Sequence, residues 1–541
     1  MLGRLLPGCE LARLESLEPS IKALAINLLT QGIGAGLSFV ILPLTARTLG
    51  LDAFGLLGIA ATVQMLVFVL DGCNLMTRLV ARELGNTDTE PTSRIRAVFG
   101  TSERLYAGVF AAGVALTVCL SFPLSAHIAE SSSITIRTLN QSLTLIAVGA
   151  FVKLQASFYR GCVVGMHAQL PANLIALTAN VVRFPVAYFS TLITPDIRIF
   201  LGIQLLSFAF EAAMLRAIFN RLAPAKPLLD QRSELALLRP ERKFIATTFA
   251  LSAATVTANQ VDKILLASTL GSAEFGAASL AILLCGGLFV LATPIHQLFL
   301  PRLARASHVA DSGAPAQTSA AGRAVSASAV ATLLCVGLPV ALTLATGAPS
   351  IAKIVAPHSG PSVAVIADAL LLWGLGNCVG VVASALYLVY FASGQVARYG
   401  KFLLVYLAVY MPLAWASLRW GGMQGAGTAW LVGNLMLTAA LALDLRRRQW
   451  IGPSVPVMLT VAALLVGVSI PLGGIIQPFL PSTPTGSAGW VMSVCLVSLT
   501  LTVRALMPAH RPSAYPQHLD PRIARSSSCG VRPSLRPSRC R

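Results

Sequence analysis

The sequence predicts an all-α polytopic membrane protein of about 14 transmembrane helices, built as two parallel six-helix lobes plus a C-terminal helix pair. Three observations carry that expectation. Hydrophobic residues make up 55% of the chain and charged ones only 11%, with a mean hydropathy of +0.74. A soluble fold cannot hide so much apolar surface, whereas a bilayer accepts it. Apolar runs of about 20 residues, the length a helix needs to cross hydrocarbon, recur along nearly the whole chain. The period-two alternation of a membrane β-barrel is not visible. Finally, Ala46-Arg-Thr-Leu-Gly-Leu-Asp-Ala-Phe54-Gly55 is echoed 221 residues later by Ala267-Ser-Thr-Leu-Gly-Ser-Ala-Glu-Phe275-Gly276.

Residues 1–22 alternate Leu with Glu and Arg and read as a cytoplasmic segment suited to the membrane interface. The first lobe, 23–220, holds spans at 23–45, 54–77, 105–126, 139–160, 169–192 and 199–219. Its first span ends at Thr45, before a tight polar link bearing Arg47, Gly50 and Asp52. Its second runs from Phe54 to Met76 and stops at Arg78. A polar linker, 221–243, carries Arg221, Lys226, Arg232, Arg239, Arg242 and Lys243. The second lobe, 244–446, has spans at 244–267, 275–300, 325–346, 363–391, 400–418 and 425–445. Two additional helices, 455–476 and 487–506, fall within 447–506. The segment 507–541, rich in Pro, Ser and Arg, reads as a disordered basic cytoplasmic tail.

Charge fixes the orientation. With the N-terminus inside and the spans alternating, 32 of the 40 Lys and Arg fall on the cytoplasmic side and 5 outside. That is the positive-inside pattern, and a span miscounted early would swap every later loop. Both termini are then cytoplasmic. The echo is separated by six spans, an even number, so its two copies share one orientation. A parallel repeat of this kind is related by an axis along the membrane normal, with a site expected between the halves near mid-bilayer.

The same pattern explains the net charge of +19 without nucleic acid, since no basic and aromatic interleaving is present. The ten cysteines are scattered, mostly within spans and without metal-ligand spacing, so free thiols and no metal are expected. The apolar run before Cys9 is too short for a signal peptide. No HExxH, GxSxG, P-loop or Gly-rich dinucleotide turn occurs. The expectation is a protein that is not an enzyme and uses no cofactor.

A charge inside a span costs several kcal/mol unless it meets a partner or water, so each is a candidate functional group. The acidic ones are Asp71, Glu211, Asp262 and Asp368; the basic ones are Lys153, Arg183 and Lys263. Lys153 and Asp368 also fit a structural role near a helix end. Arg183, mid-span beside Pro185, points to a water-filled cavity. Asp262 and Lys263 are adjacent and project about 100° apart on a helix, so both cannot face lipid safely. Asn259 and Gln260 widen that polar face. Arg78 and Arg302 occupy corresponding places at the cytoplasmic ends of the second and eighth spans. Positive-inside flanking accounts for both, and a pair of guanidinium groups at a cytoplasmic mouth would also suit bidentate phosphate binding.

Several short motifs stand in order along the chain. They are Asn27, Ala46-Arg47-Thr-Leu-Gly50 with Phe54-Gly55, Asp71-Gly72 followed by Arg78, and Tyr159-Arg160-Gly161. The second lobe adds Asp262-Lys263, Leu270-Gly271, Phe275-Gly276, and Pro294 with Phe299-Leu-Pro301-Arg302. Together they resemble the polysaccharide-export branch of the multidrug/oligosaccharidyl-lipid/polysaccharide (MOP) superfamily, the flippases of O-antigen and exopolysaccharide repeat units. The likeness covers about residues 22–450. It implies a multi-pass transporter of the bacterial inner membrane that turns an undecaprenyl-diphosphate-linked oligosaccharide from the cytoplasmic to the periplasmic leaflet by alternating access. Arg78, Arg183, Lys263, Arg302 and Lys153 are then candidates for binding diphosphate or sugar, and Asp71, Glu211 and Asp262 for coupling ions. The bilayer and the polyprenyl-diphosphate-linked glycan would be its partners, with polymerase and chain-length proteins of the same pathway. Alternatives are a cation or drug exporter of the multidrug and toxin extrusion (MATE) type, a lipid II flippase, and a glycan polymerase or ligase. The last would need a large outside loop with catalytic residues, and the sequence shows none.

Overall fold

The computed structural model describes residues 32–34, 36–71, 73–84, 91–129, 134–166, 168–223, 242–308, 320–356 and 361–476. The segments 1–22 and 507–541 and the span expected at 487–506 lie outside them. Within the described residues the regular structure is helical: α1 Gly32–Leu49, α2 Leu51–Val67, α3 Cys73–Leu84, α4 Pro91–Ala129, α5 Ile136–Gly165, α6 Gln169–Ile193 and α7 Ile197–Leu222. Then follow α8 Arg242–Thr269, α9 Ser272–His308, α10 Ala320–Val355, α11 Pro361–Ala392, α12 Val396–Arg447 and α13 Ser454–Ile476. Ten spans among the described residues are long and apolar enough to cross a membrane. The polar run Asn259-Gln260-Val-Asp262-Lys263 sits in α8, which is not among the ten.

At 52 residues α12 would extend about 78 Å, more than twice the hydrocarbon thickness. It is two spans joined at Gly422, whose φ of 54° and ψ of −139° are non-helical and open to glycine without a Cβ penalty. This is the division at 400–418 and 425–445 that the hydropathy indicates.

The second span departs from expectation. It is not one helix to Met76 but two, α2 and α3, separated by a 3-10 turn at Phe68–Leu70 and an extended Asp71. Free backbone groups are costly at membrane depth, so the break needs partners. It has them. The Asp71 carboxylate accepts the Cys73 N–H at 3.0 Å and the Ser157 hydroxyl at 2.7 Å. The Tyr106 hydroxyl donates to the Leu70 carbonyl at 2.7 Å. Opposite the start of α3, Gly161 lets α5 approach so closely that a Cβ there would lie 2.8 Å from the Cys73 Cα. Asp71 thus caps α3. Asp71→Ala is expected to lower stability by about 1 kcal/mol, the usual worth of such a cap, in thermal unfolding of the detergent-solubilised protein.

Contacts sort the helices into two groups. In the first, α5 packs on α2, α3, α4 and α7, and α6 on α7; in the second, α11 packs on α9, α10 and α12, and α12 also on α8. An aromatic cluster of Phe99, Tyr106, Phe158, Tyr159 and Phe219 fills the first group, with Phe99 and Phe219 stacked at 4.2 Å. Trp373, Tyr390 and Tyr410, each under 2% exposed, anchor the second.

The groups meet where the repeated motif meets itself. The offset of 221 residues maps Leu51, Gly55 and Gly58 onto Ser272, Gly276 and Ser279. A Cβ on Gly55 would sit 3.0 Å from the Ser272 carbonyl oxygen, and one on Gly276 would overlap the Leu51 carbonyl oxygen. A Cβ on Gly58 would sit 2.6 Å from the Ser279 Cβ. Residue i touching the counterpart of j, while j touches the counterpart of i, is the signature of a two-fold axis. Small residues at this spacing let two helices pack backbone to backbone in a bilayer. The Ser272 hydroxyl also donates to Asp52, and Arg47 reaches the carbonyls of Ile354 and, at 3.4 Å, Ala356 at the end of α10.

Candidate functional site

Behind that contact the lobes line a partly open cavity of about 710 Å³. Its walls come from α1, α2, α5, α6 and α7 on one side and α8, α9, α11 and α12 on the other. By the same offset Gln260 and Lys263 take the places of Phe39 and Leu42, and all four line the cavity. The two halves therefore share a frame and differ in chemistry.

Among the described residues three cations line it, Arg160, Arg183 and Lys263, and no carboxylate does. Arg183, two residues before the Pro185 that interrupts the hydrogen-bond ladder of α6, donates to Asn180 Oδ1 at 2.9 Å. Its guanidinium lies over Phe184 at 4.5 Å and Phe208 at 4.9 Å, and its buried Nε has no hydrogen-bond partner among the described residues. Arg160 donates to Asn173 Oδ1 at 2.8 Å. Among the described residues neither arginine forms an ion pair.

Lys263 differs. Its ammonium lies 3.2 Å from Asp262 Oδ1, bonds the Asn259 carbonyl, and sits 5.1 Å over the Trp430 ring. Asp262 is 1% exposed, and its other oxygen accepts from Trp373 Nε1 at 2.7 Å. Lys153, expected near a helix end, is instead mid-way along α5 and meets Glu211 Oε2 at 2.7 Å, away from the cavity wall. Two cations are thus balanced by adjacent carboxylates, and the charge left over belongs to Arg160 and Arg183.

Of the other candidates, Asp71 caps α3, and Asp368 accepts from Gln424 Nε2 at 2.8 Å. The side chains of Arg78 and Arg302 lie outside the described residues. Arg160 was not among the candidates for binding. The hydropathy ends a span at 160 and assigns the arginine to the cytoplasmic flank, but α5 continues to Gly165 and carries Arg160 into the cavity wall. The available signal was its place in Tyr159-Arg160-Gly161.

A polytopic helical protein whose duplicated lobes flank a central cavity has the architecture of a MOP-superfamily transporter. Solved structures share it. One titled "Lipid II flippase MurJ, inward closed conformation" is 11% identical, with a TM-score of 0.64 over 89% of this chain and 100% of that one. An inward-facing multidrug resistance MATE family transporter is 14% identical, with a TM-score of 0.56 over 79% and 98%. A MOP superfamily transporter from Pyrococcus furiosus, whose title notes a binding pocket of reverse polarity, is 15% identical, with a TM-score of 0.50 over 79% and 95%. At these identities the likeness speaks for the fold. The chain belongs to the polysaccharide biosynthesis protein family, which matches residues 20–307. No curated protein matches it.

Proposed function

We propose that the protein is a flippase that carries a polyprenyl-diphosphate-linked oligosaccharide from the cytoplasmic to the periplasmic leaflet of a bacterial inner membrane, serving O-antigen or exopolysaccharide synthesis. The observation that carries this reading is the cavity wall, which among the described residues has Arg160, Arg183 and Lys263 and no carboxylate. A diphosphate and its sugars cannot cross hydrocarbon unaided, because their hydration would be lost. Fixed guanidinium groups offset that loss through short charge-assisted bonds. The cavity volume falls within the range of about 300–1,000 Å³ typical of ligand sites, while the prenyl chain stays in lipid. Two negative charges moving outward through roughly 100 mV gain on the order of 5 kcal/mol, so the membrane potential favours the direction. A lumen selected for organic cations would place carboxylates where these arginines stand, which argues against the MATE-type alternative.

Proteoliposomes test this with undecaprenyl-diphosphate-linked oligosaccharide extracted from the cells that make the protein. Wild type should flip it. The double variant Arg160→Gln, Arg183→Gln should lose at least about tenfold in rate with normal insertion, as expected for losing two charge-assisted contacts. Unchanged flipping by the variant would remove the proposal, and so would export of a cationic dye by wild type with no movement of the lipid.

A further inference from the structure

The two lobes leave unfilled groups of opposite sense. On the first, Arg183 has a buried Nε donor without a partner among the described residues. On the second, Gln260 lines the cavity at 7% exposure, and its Oε1 acceptor has no partner among the described residues. A buried polar group left unpaired costs free energy, and a ligand that pairs it recovers that cost. The sense of each group selects the ligand atom. A phosphate diester has acceptors and no donors, so it completes Arg183 and leaves the Gln260 Oε1 unpaired. A sugar hydroxyl donates, and completes Gln260.

The neighbours agree with this division. Around Gln260 the wall carries the exposed Asn259 and the buried Asn377. Asn377 Oδ1 accepts from Trp430 Nε1 at 3.1 Å. An indole N–H only donates, so this bond fixes the amide and leaves its nitrogen as a donor. Lys263, on the same wall, is held by Asp262. The second lobe therefore offers neutral amide groups of both senses, suited to hydroxyls. The first-lobe wall has amides too, Gln64, Asn180 and Gln204, but adds two arginines that form no ion pair among the described residues, and Asn180 is engaged by one of them.

We propose that the lobes divide recognition of the headgroup: Arg160 and Arg183 hold the diphosphate, and Gln260 with Asn259 on α8 forms a saccharide subsite that sets glycan selectivity. This rests on the flippase reading above and adds a polarity to it. The glycolipid headgroup lies across the lobe interface in one direction, and glycan preference is a property of α8 rather than of the arginines.

The full-length protein in nanodiscs is titrated with undecaprenyl diphosphate and with the extracted undecaprenyl-diphosphate-linked oligosaccharide, following tryptophan fluorescence, since Trp373 and Trp430 line the cavity. Wild type should bind the glycosylated lipid more tightly. Gln260→Met, close in volume, and Asn259→Ala, at an exposed position, should each weaken the glycosylated lipid by about 3- to 10-fold, the worth of a hydrogen bond, and leave the bare lipid unchanged. Arg183→Gln should weaken both by the same factor. Equal affinity of wild type for the two lipids, equal losses for both lipids in the Gln260 variant, or no loss in either amide variant would overturn the division. Wild type binding neither lipid would overturn the flippase reading and the division with it.

Discussion

Glu211→Gln is expected to destabilise the protein by about 3–5 kcal/mol, and adding Lys153→Met should restore most of that loss. The pair lies mid-way along α5 and α7, with 2.7 Å between Lys153 Nζ and Glu211 Oε2, and the carboxylate side chain is 4% exposed. Phe208 packs under both cations, 5.2 Å from the Lys153 ammonium and 4.9 Å from the Arg183 guanidinium. Removing the carboxylate leaves two positive groups on one ring in low dielectric with nothing to balance them. Removing both members of the pair leaves an apolar methionine and a neutral amide, which a membrane interior tolerates. Thermal unfolding of the four proteins in a double-mutant cycle measures the coupling, and an interaction below about 1 kcal/mol would show that the pair is not what holds these helices.

The same cycle separates structure from ion coupling. If Glu211 only balances Lys153, the double variant is stable and keeps the wild-type rate in the assay of the proposed flipping. If Glu211 carries a proton during transport, the double variant is stable and inactive. The geometry favours the first outcome, because the carboxylate is already occupied by an ammonium. Asp262 stands alike, enclosed between Trp373 and Lys263.

Which of these features the sequence discloses follows from the physics of each. Hydropathy reads the cost of exposing apolar surface to water, so it finds the long helices and the two spans of α12 with little ambiguity. It is blind to side-chain hydrogen bonds. The break at Asp71 falls in a run as apolar as any intact helix, and only Tyr106 and Ser157, distant in sequence, make it affordable in lipid. Charges within spans announce themselves individually, but pairing does not, since Lys153 and Glu211 are 58 residues apart. Arg160 shows the converse error. A cation near a span's end satisfies the positive-inside rule, and composition cannot tell an arginine flanking the membrane from one turned into a cavity. The repeated glycines were legible as an echo, whereas their meeting across the lobe boundary required the fold.

That meeting carries the second large effect. Gly276→Val is expected to cost about 3 kcal/mol, at the upper end of overpacking penalties, because its Cβ would overlap the Leu51 carbonyl oxygen, a backbone atom that no rotamer change can move. Gly286 on the same helix is the control. A Cβ there meets nothing within 4 Å, so Gly286→Ala should be neutral or stabilising by up to about 1 kcal/mol through helix propensity. Thermal unfolding compares the two, and equal behaviour would mean that the α2–α9 contact is not close-packed in the membrane. In the orientation proposed from the positive-inside pattern, this contact lies at the extracytoplasmic end. There Gly55, Gly58, Gly276 and Ser279, with Asp52 bonded to Ser272 and Arg47 on the end of α10, hold the lobes together. The proposed transport by alternating access would have to part them. Gly276→Val should therefore also label faster than wild type with a membrane-impermeant thiol reagent at a cysteine placed at Ser279. Slower or unchanged labelling in the destabilised variant would place the outer opening somewhere other than between α2 and α9.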